Sequence, residues 1–519
     1  MKETGMKALT GRKRILAGIT LFSMFFGAGN LIFPPFLGAQ AGTHTWQAFA
    51  GFAVSAVFLP VLGVVAVTKS GGLETLASRV HPRFSFFYIL VLYLAIGPCL
   101  AIPRTASTSF SIAVMPFWNQ PEALRLVQLV YSLAFFLLAA QVAMHPEKLT
   151  EYLGKCLTPI LLSLIVIIFA SSVLRPAGPA AAPNGAYGQT AVIRGFLDGY
   201  QTMDTLAALN FGIIIAMNIR VMGISEESGV MKETIRAGWT AGSVLLAVYG
   251  MLSYVGMVSG TRFAGAADGT EILTGVVEFL LGKAGTVMLA CIFMIACFNT
   301  CVGLLVCCGN YFHRIFSKLS YRAWVYVFAA VSMAISNAGL GAILRISKPV
   351  LNAIYPLAIL LIFLSCLHHR IKDYPRIYPW SAFVCGLFSL LFMLDENHIV
   401  IPGVTGLLHG IPGSRQGFGW LMPTALAIGA GFLADKTGKV FQKKHDVRKN
   451  KGVKELWSLR FLWKFFRKRR LRIYSLGNGF GIQEKVRIHY QISAESAGSR
   501  ERNFMKWICF RRGRNFMPL

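Results

Sequence analysis

Two short runs carry residue types able to do chemistry in an otherwise apolar chain: Gly27-Ala28-Gly29-Asn30, followed by Pro34-Pro35, and Gly199-Tyr200-Gln201-Thr202-Met203-Asp204-Thr205. Glycines around an alanine hold a helix weakly, and prolines remove amide donors and clash with the preceding turn. In the second run five of seven side chains can hydrogen-bond and one is a carboxylic acid. An ionisable group among apolar neighbours is expensive and faces a cavity or a partner. Both runs are therefore predicted to interrupt helices. A broken helix leaves free N–H groups at the start of one half, which attract an anion, and free carbonyls at the end of the other, which attract a cation. Amides at Gly27 to Asn30 can hold a carboxylate while carbonyls near Ser23 and Phe26 coordinate a small metal ion. That is the outline of a zwitterion site coupled to sodium or protons. Small residues that merely permit close helix packing are the other reading of the same run.

The elements that must position these runs follow from composition. Of 519 residues, 55% are hydrophobic and only 14% charged, with mean hydropathy +0.57. A soluble domain carries about 25% charged residues, so an ordinary soluble enzyme is excluded. A disordered chain is excluded by the hydrophobicity and a collagen-like one by the lack of a glycine period. What remains is an all-α polytopic membrane protein. Twelve apolar windows are long enough to span a bilayer, at approximately 15–38, 46–68, 84–102, 124–143, 156–174, 199–219, 237–259, 284–310, 323–340, 349–367, 377–394 and 416–434. With the N-terminus inside, the inner segments before the tail hold 19 Lys and Arg and the outer ones 9. The positive-inside rule then puts both termini in the cytoplasm. The first apolar run is too long for a signal peptide and lacks a cleavage pattern.

The sixth window lies five after the first. Because five is odd, two consecutive five-helix units insert with opposite topology, so breaks in windows 1 and 6 predict a 5+5 inverted repeat with two extra helices. The chain thus divides into a cytoplasmic N-terminus (1–14), a twelve-helix transporter domain (15–435) and a basic tail (436–519).

Three runs, GAGNLIFPPFLGAQAG (Gly27 to Gly42), GPCLAIPRTASTSF (Gly97 to Phe110) and GYQTMDTLAALNFG (Gly199 to Gly212), resemble the branched-chain amino acid:cation symporter family of the BrnQ type, over approximately residues 10 to 435. The resemblance implies the leucine-transporter fold and sodium-coupled import of leucine, isoleucine and valine across a bacterial cytoplasmic membrane. It further implies that the substrate carboxylate meets Gly27, Ala28 and Gly29 with Asn30 beside them. The amine would meet freed carbonyls near Thr202 and Met203. A sodium ion between spans 1 and 8 would take the carbonyls of Ser23 and Phe26 and the side chains of Asn30, Asn299 and Thr300. Asn299 departs from the two hydroxyl residues expected there, which bears on ion choice. A proton-coupled carrier of related apolar amino acids and a membrane-embedded amino-acid sensor are the alternatives.

Asp204 has four candidate roles: taking up a coupling proton, accepting from the substrate amine, anchoring the break, or capping the inner half-helix. Arg104 reads as a gate residue near the outer end of span 3 or as an interfacial arginine that snorkels to water. Phe25, Phe26 and Phe211 border the breaks and wall a pocket or simply pack. Nine cysteines fall in apolar runs and are expected to be small buried hydrophobes. No His, Cys or carboxylate spacing suits a metal centre, and no Walker loop, nucleophile elbow or HExxH helix appears, so neither enzyme chemistry nor an organic cofactor is expected.

Residues 436–519 hold 23 bases against five acids. Interleaved aromatics such as Trp457, Phe461 and Trp463 suit a helix on anionic membrane lipid. The tail has no module able to read bases, so no nucleic-acid partner is expected. An origin in a shifted or extended reading frame is the other account of this stretch.

Overall fold

A computed structural model describes residues 8–439 except 119, 146–149, 264, 267 and 400. The readings made for the tail beyond 439 lie outside the described residues, as do those for residues 1–7. The described chain is helical throughout. In order it forms α1 (Gly11–Phe25), α2 (Ala28–Ala41), α3 (Thr45–Ala53), α4 (Leu59–Ser70), α5 (Leu73–Ser78), α6 (Pro82–Leu94), α7 (Ala101–Ala113), α8 (Leu124–Ala143) and α9 (Thr158–Leu174). There follow α10 (Tyr187–Tyr200), α11 (Asp204–Val221), α12 (Glu227–Met257), α13 (Gly269–Ile315), α14 (Tyr321–Ser336), α15 (Leu340–Ile371), α16 (Ile377–Glu396), the short α17 (Thr405–His409), and α18, described over 421–439.

Among the described residues nine helical runs are long and apolar enough to cross a membrane. Their outer faces are apolar. On α8, Leu126, Leu129, Val130, Leu133, Leu137 and Leu138 are all exposed, a stripe suited to a lipid environment. Five of the cysteines, Cys297, Cys301, Cys307, Cys308 and Cys385, are buried as expected. Cys99, Cys156, Cys291 and Cys366 are instead exposed, because an apolar span has a lipid face as well as a core face.

Both predicted interruptions are present. The first falls at Phe26 and Gly27, which leave helical geometry (φ −74°, ψ 90° and φ −121°, ψ −156°) between α1 and α2. The second falls at Gln201 to Met203, between α10 and α11. There Met203 takes φ +66°, a left-handed conformation that costs a side-chain-bearing residue about 1–2 kcal/mol. The window at 199–219 missed most of α10, which begins at Tyr187. Span 3 is also longer than its window. It unwinds around Gly97 (φ −91°, ψ −123°) and Pro98 and resumes as α7 up to Ala113.

Close packing fixes the breaks relative to the rest. At the α3–α10 crossing, a Cβ on Gly51 would lie 1.9 Å from the Val192 carbonyl, and one on Gly195 would lie 1.9 Å from that of Ala48. The two backbones touch in a way that only glycine permits. Another tie joins α1 to α12. Glu233, 2% exposed, accepts from Arg14 Nε at 2.8 Å and from Arg236 Nη1 at 2.6 Å. The buried carboxylate is thus met from two directions, which is the condition for tolerating it.

Candidate functional site

The two breaks face each other across one small cavity of about 20 Å³, lined by residues of α1, α2, α7, α11 and α13 and of the second break. Its polar lining is Asn30, Arg104, Thr105, Thr202, Asp204 and Thr300, and its apolar lining includes Met24, Phe25, Ile96, Ala207 and Leu304. The volume holds about one water molecule.

Asn30 is the third residue of α2, and its position explains its contacts. Its Oδ1 reaches back to accept the Gly27 N–H at 3.2 Å, which satisfies one of the amides that the helix start exposes. Its Nδ2 points the other way, donating to Asp204 Oδ2 at 2.7 Å and to the Tyr249 hydroxyl. Tyr249, from α12, donates in turn to the same Asp204 oxygen at 2.7 Å. Asp204, Asn30 and Tyr249 are all at most 1% exposed. A single carboxamide therefore links the start of α2 to the start of α11, and the Asp204 carboxylate sits where the α11 dipole favours negative charge.

This arrangement decides between two readings of Asp204. Its carboxylate does not cap α11: no side-chain cap bond exists there, and the nearest substitute is the Thr202 hydroxyl, which accepts the Asp204 N–H at a long 3.5 Å. Asp204 instead anchors the break to two other helices. Arg104 is likewise not an interfacial arginine that reaches water, and no acid lies within ion-pair distance of it among the described residues. It is 4% exposed and donates from Nη1 to the Gln201 carbonyl at 3.0 Å. The helix restart after Pro98 places it at the depth of the breaks.

The residues proposed for a cation lie on the other side of the first break. The Thr300 hydroxyl donates to the Met24 carbonyl at 3.0 Å, one of the carbonyls left free at the end of α1. Ser23 is buried and donates to the Thr20 carbonyl at 2.9 Å. Asn299 is fully buried, and neither its Oδ1 nor its Nδ2 has a hydrogen-bond partner among the described residues. An orphaned carboxamide of this kind costs about 1–3 kcal/mol for each unsatisfied atom. Thr300 and Asn30 border the cavity, whereas Ser23, Phe26 and Asn299 are not among its lining residues.

Gly27, Ala28, Asn30, Thr202, Met203 and Asp204 all line the cavity, and Gly29 adjoins it: a Cβ on Gly29 would lie 2.8 Å from Arg104 Nη2 and 3.2 Å from the Gln201 carbonyl. Phe25 lines the cavity and packs on Phe211 at 5.4 Å between ring centroids. Phe26 turns away, stacking on Phe22 at 5.1 Å and on Tyr249 at 6.2 Å. Tyr249 was missed from the sequence. Its signal is a phenol in the middle of an apolar span, whose hydroxyl must find a buried partner. No cluster of His, Cys, Asp or Glu suited to a metal ion occurs among the described residues.

The sequence profile described as "Branched-chain amino acid transport protein" matches residues 10–437. The branched-chain amino acid permease BrnQ of Bacillus subtilis (strain 168) is 38% identical over 422 residues, covering 81% of this chain and 96% of that protein. The branched-chain amino acid transport system 3 carrier protein of Pseudomonas aeruginosa is 38% identical over 432 residues, covering 83% and 98%. BrnQ of Escherichia coli (strain K12) is 36% identical over 431 residues, covering 82% and 97%. Among solved structures, a nucleobase-cation-symport-1 family transporter in a closed conformation with bromovinylhydantoin bound superposes with a TM-score of 0.52 at 14% identity, over 82% of this chain and 93% of that one. A Na+-coupled sialic acid symporter in a substrate-bound outward-open state gives 0.52 at 14%, over 82% and 90%. These two likenesses establish the leucine-transporter-like fold. The relatives are named as permeases and carriers, not as enzymes, and the chain belongs to the branched-chain amino acid transport protein family.

Proposed function

We propose that this protein is a secondary active carrier that imports leucine, isoleucine and valine by sodium symport across a bacterial cytoplasmic membrane. The observation that carries the reading is the meeting of two broken helices at one cavity that combines free helix ends, a carboxylate and a guanidinium with apolar walls. Helix ends of opposite polarity suit the two charges of a zwitterion. Met24, Phe25, Ile96 and Leu304 suit a branched apolar side chain, each buried methylene contributing about 0.8 kcal/mol. The names of the relatives support the substrate class. A leucine is far larger than a cavity of about 20 Å³, so binding requires the walls to move apart, as alternating access does.

For the coupling ion, the fit rests on Asn299 and Thr300. An ion–dipole contact would satisfy the orphaned Asn299 carboxamide oxygen, and the Thr300 hydroxyl keeps its lone pairs available while donating to Met24. With carbonyls of Ser23 and Phe26 this makes an all-oxygen set, as a hard cation requires. Breaks in corresponding spans support the 5+5 inverted repeat within a twelve-span topology, and the loop charges support cytoplasmic termini. A second reading, proton coupling through Asp204, is favoured by one observation: this buried carboxylate has no ion-pair partner among the described residues.

The test is uptake of labelled leucine into proteoliposomes. Under an inward sodium gradient accumulation is expected, and substituting Asn299 and Thr300 by Ala is expected to raise the half-saturating sodium concentration at least about tenfold, the loss of one or two charge–dipole contacts. Accumulation with a proton gradient alone would transfer the coupling role to Asp204, and no uptake under either gradient would remove the carrier reading. Truncation after Lys439 separates the carrier from the sensor. Because the family match ends at residue 437, the truncated carrier is expected to keep its uptake within about twofold, a surface-scale effect. A tail-dependent sensor would lose its output.

A further inference from the structure

We propose that Arg104 binds the substrate α-carboxylate, so that Arg104 and Asp204 together make the site select ligands bearing both an α-carboxylate and an α-ammonium group. The inference rests on the amino-acid carrier reading and deepens it. Arg104 lies in the first turn of α7, restarted beyond the Gly97–Pro98 unwinding, and lines the cavity at 4% exposure. Burying a guanidinium costs several kcal/mol unless it is paired. Here no carboxylate lies within ion-pair distance of it among the described residues. Of its five N–H donors, one hydrogen bond is described, from Nη1 to the Gln201 carbonyl at 3.0 Å. That carbonyl ends the α10 half-helix, so the contact also holds the break in place.

Nη2 points to the other break. A Cβ on Gly29 would lie 2.8 Å from it, which means the guanidinium rests against the first turn of α2 because position 29 has no side chain. An anion brought there meets the guanidinium and the amides at the start of α2 at once, two positive ends converging on one point. Asp204 lines the same cavity, with Oδ2 taken by Asn30 and Tyr249. The Thr202 hydroxyl lies beside the same carboxylate, so an ammonium entering the cavity meets a charged group whose other neighbours, Asn30, Tyr249 and Thr202, are all neutral. The site thus holds opposite charges that attract each other without closing to an ion pair, and a zwitterion placed between them satisfies both.

The alternative is that Arg104 merely splints the second break through Gln201. Binding of leucine, leucinamide and 4-methylpentanoate to the purified full chain separates the two. Wild type is expected to prefer leucine over leucinamide by about 100-fold or more, the scale of a charge-assisted pair in a dry site. Arg104→Gln is expected to bring that ratio to within about fivefold, while discrimination against 4-methylpentanoate persists because Asp204 is intact. A splint predicts that Arg104→Gln weakens leucine and leucinamide alike, and an unchanged ratio overturns the proposal. If Arg104→Gln does not yield folded protein, Arg104→Lys decides. Its point charge lacks the planar fork, so the ratio should fall about tenfold, and a wild-type ratio overturns the assignment. Wild type that binds leucine without discriminating against leucinamide also overturns it. Wild type that binds no amino acid removes the carrier reading itself.

Discussion

Gly27→Leu is expected to abolish leucine uptake while the protein reaches the membrane at its normal level. The reason is local. At position 27 the backbone passes Thr300 so closely that even a methyl group would sit 2.7 Å from its Oγ1 and 3.0 Å from its Cβ. Thr300 cannot turn aside without giving up its bond to the Met24 carbonyl at 3.0 Å. One added methylene in a packed interior costs about 1–3 kcal/mol, and leucine adds four carbons where the first has no room. The displaced neighbour belongs to the set proposed for the cation, and the Gly27 N–H, which Asn30 now holds, belongs to the set proposed for the carboxylate. Both sites are therefore lost together. Gly27→Ala is expected to be intermediate, with initial uptake lowered about tenfold or more, the lower end of that overpacking cost. The measurement is the initial rate in proteoliposomes, normalised to folded protein by size-exclusion chromatography. Undiminished uptake in Gly27→Leu would remove the proposed site, and a protein lost from the membrane would reduce Gly27 to a packing residue.

The breaks were legible because their causes are local. Gly27 weakens a helix wherever it occurs, and Asp204 in an apolar run announces itself by its cost, whereas Gly29, Pro34 and Pro35, which the same reading counted as breakers, lie inside α2. What surrounds the breaks was less legible, because it depends on contacts between distant segments. Helix α10 was largely invisible to hydropathy, since it carries Arg194 and Asp198. In the fold these two pair at 3.0 Å, and the Tyr187 hydroxyl donates to the same carboxylate. Charges that cancel within one helix lower its hydropathy without keeping it out of the interior. The second half of span 3 was cut short for a similar reason. Thr105, Ser107 and Ser109 read as polar, yet each hydroxyl donates to a carbonyl three or four residues earlier, Thr105 to Ile102 at 2.6 Å and Ser109 to Thr105 at 2.8 Å. Such back-bonded hydroxyls are compatible with a buried helix. Cutting the span at 102 moved Arg104 to an interface that it does not occupy. Tyr249 lies in the apolar run 244–252, and nothing near it in sequence indicates that its partners are 219 and 45 residues away.

Asp204→Ala is expected to stop uptake as completely as Gly27→Leu, by a different route. Two donors, Asn30 Nδ2 and the Tyr249 hydroxyl, converge on Asp204 Oδ2 at 2.7 Å. Removing the acceptor strands the Tyr249 hydroxyl proton in a site at most 1% exposed, at about 1–3 kcal/mol, and leaves Asn30 Nδ2 with the Tyr249 oxygen alone. Asn30 is then free to release the Gly27 N–H as well, so the loss at the second break reaches the first. Tyr249→Phe removes the bond to Asp204 and the oxygen that accepts from Asn30, leaving Asp204 with Asn30, and uptake lowered about tenfold or more is expected from the loss of a bond to a charged group. Asn30→Asp should be as severe as Asp204→Ala, because it replaces a donor by a second carboxylate and two such groups in contact cannot both ionise. The decisive measurement is the thermal unfolding of the single and double variants, because Asp204→Ala already stops uptake. If the three side chains act as one unit, Tyr249→Phe costs less stability in the Asp204→Ala background than in wild type, since only the bond from Asn30 Nδ2 is left for it to remove. Losses that simply add would mean that Asp204 and Tyr249 act independently, and the two breaks would then have to be coupled through Arg104 and the Gln201 carbonyl instead.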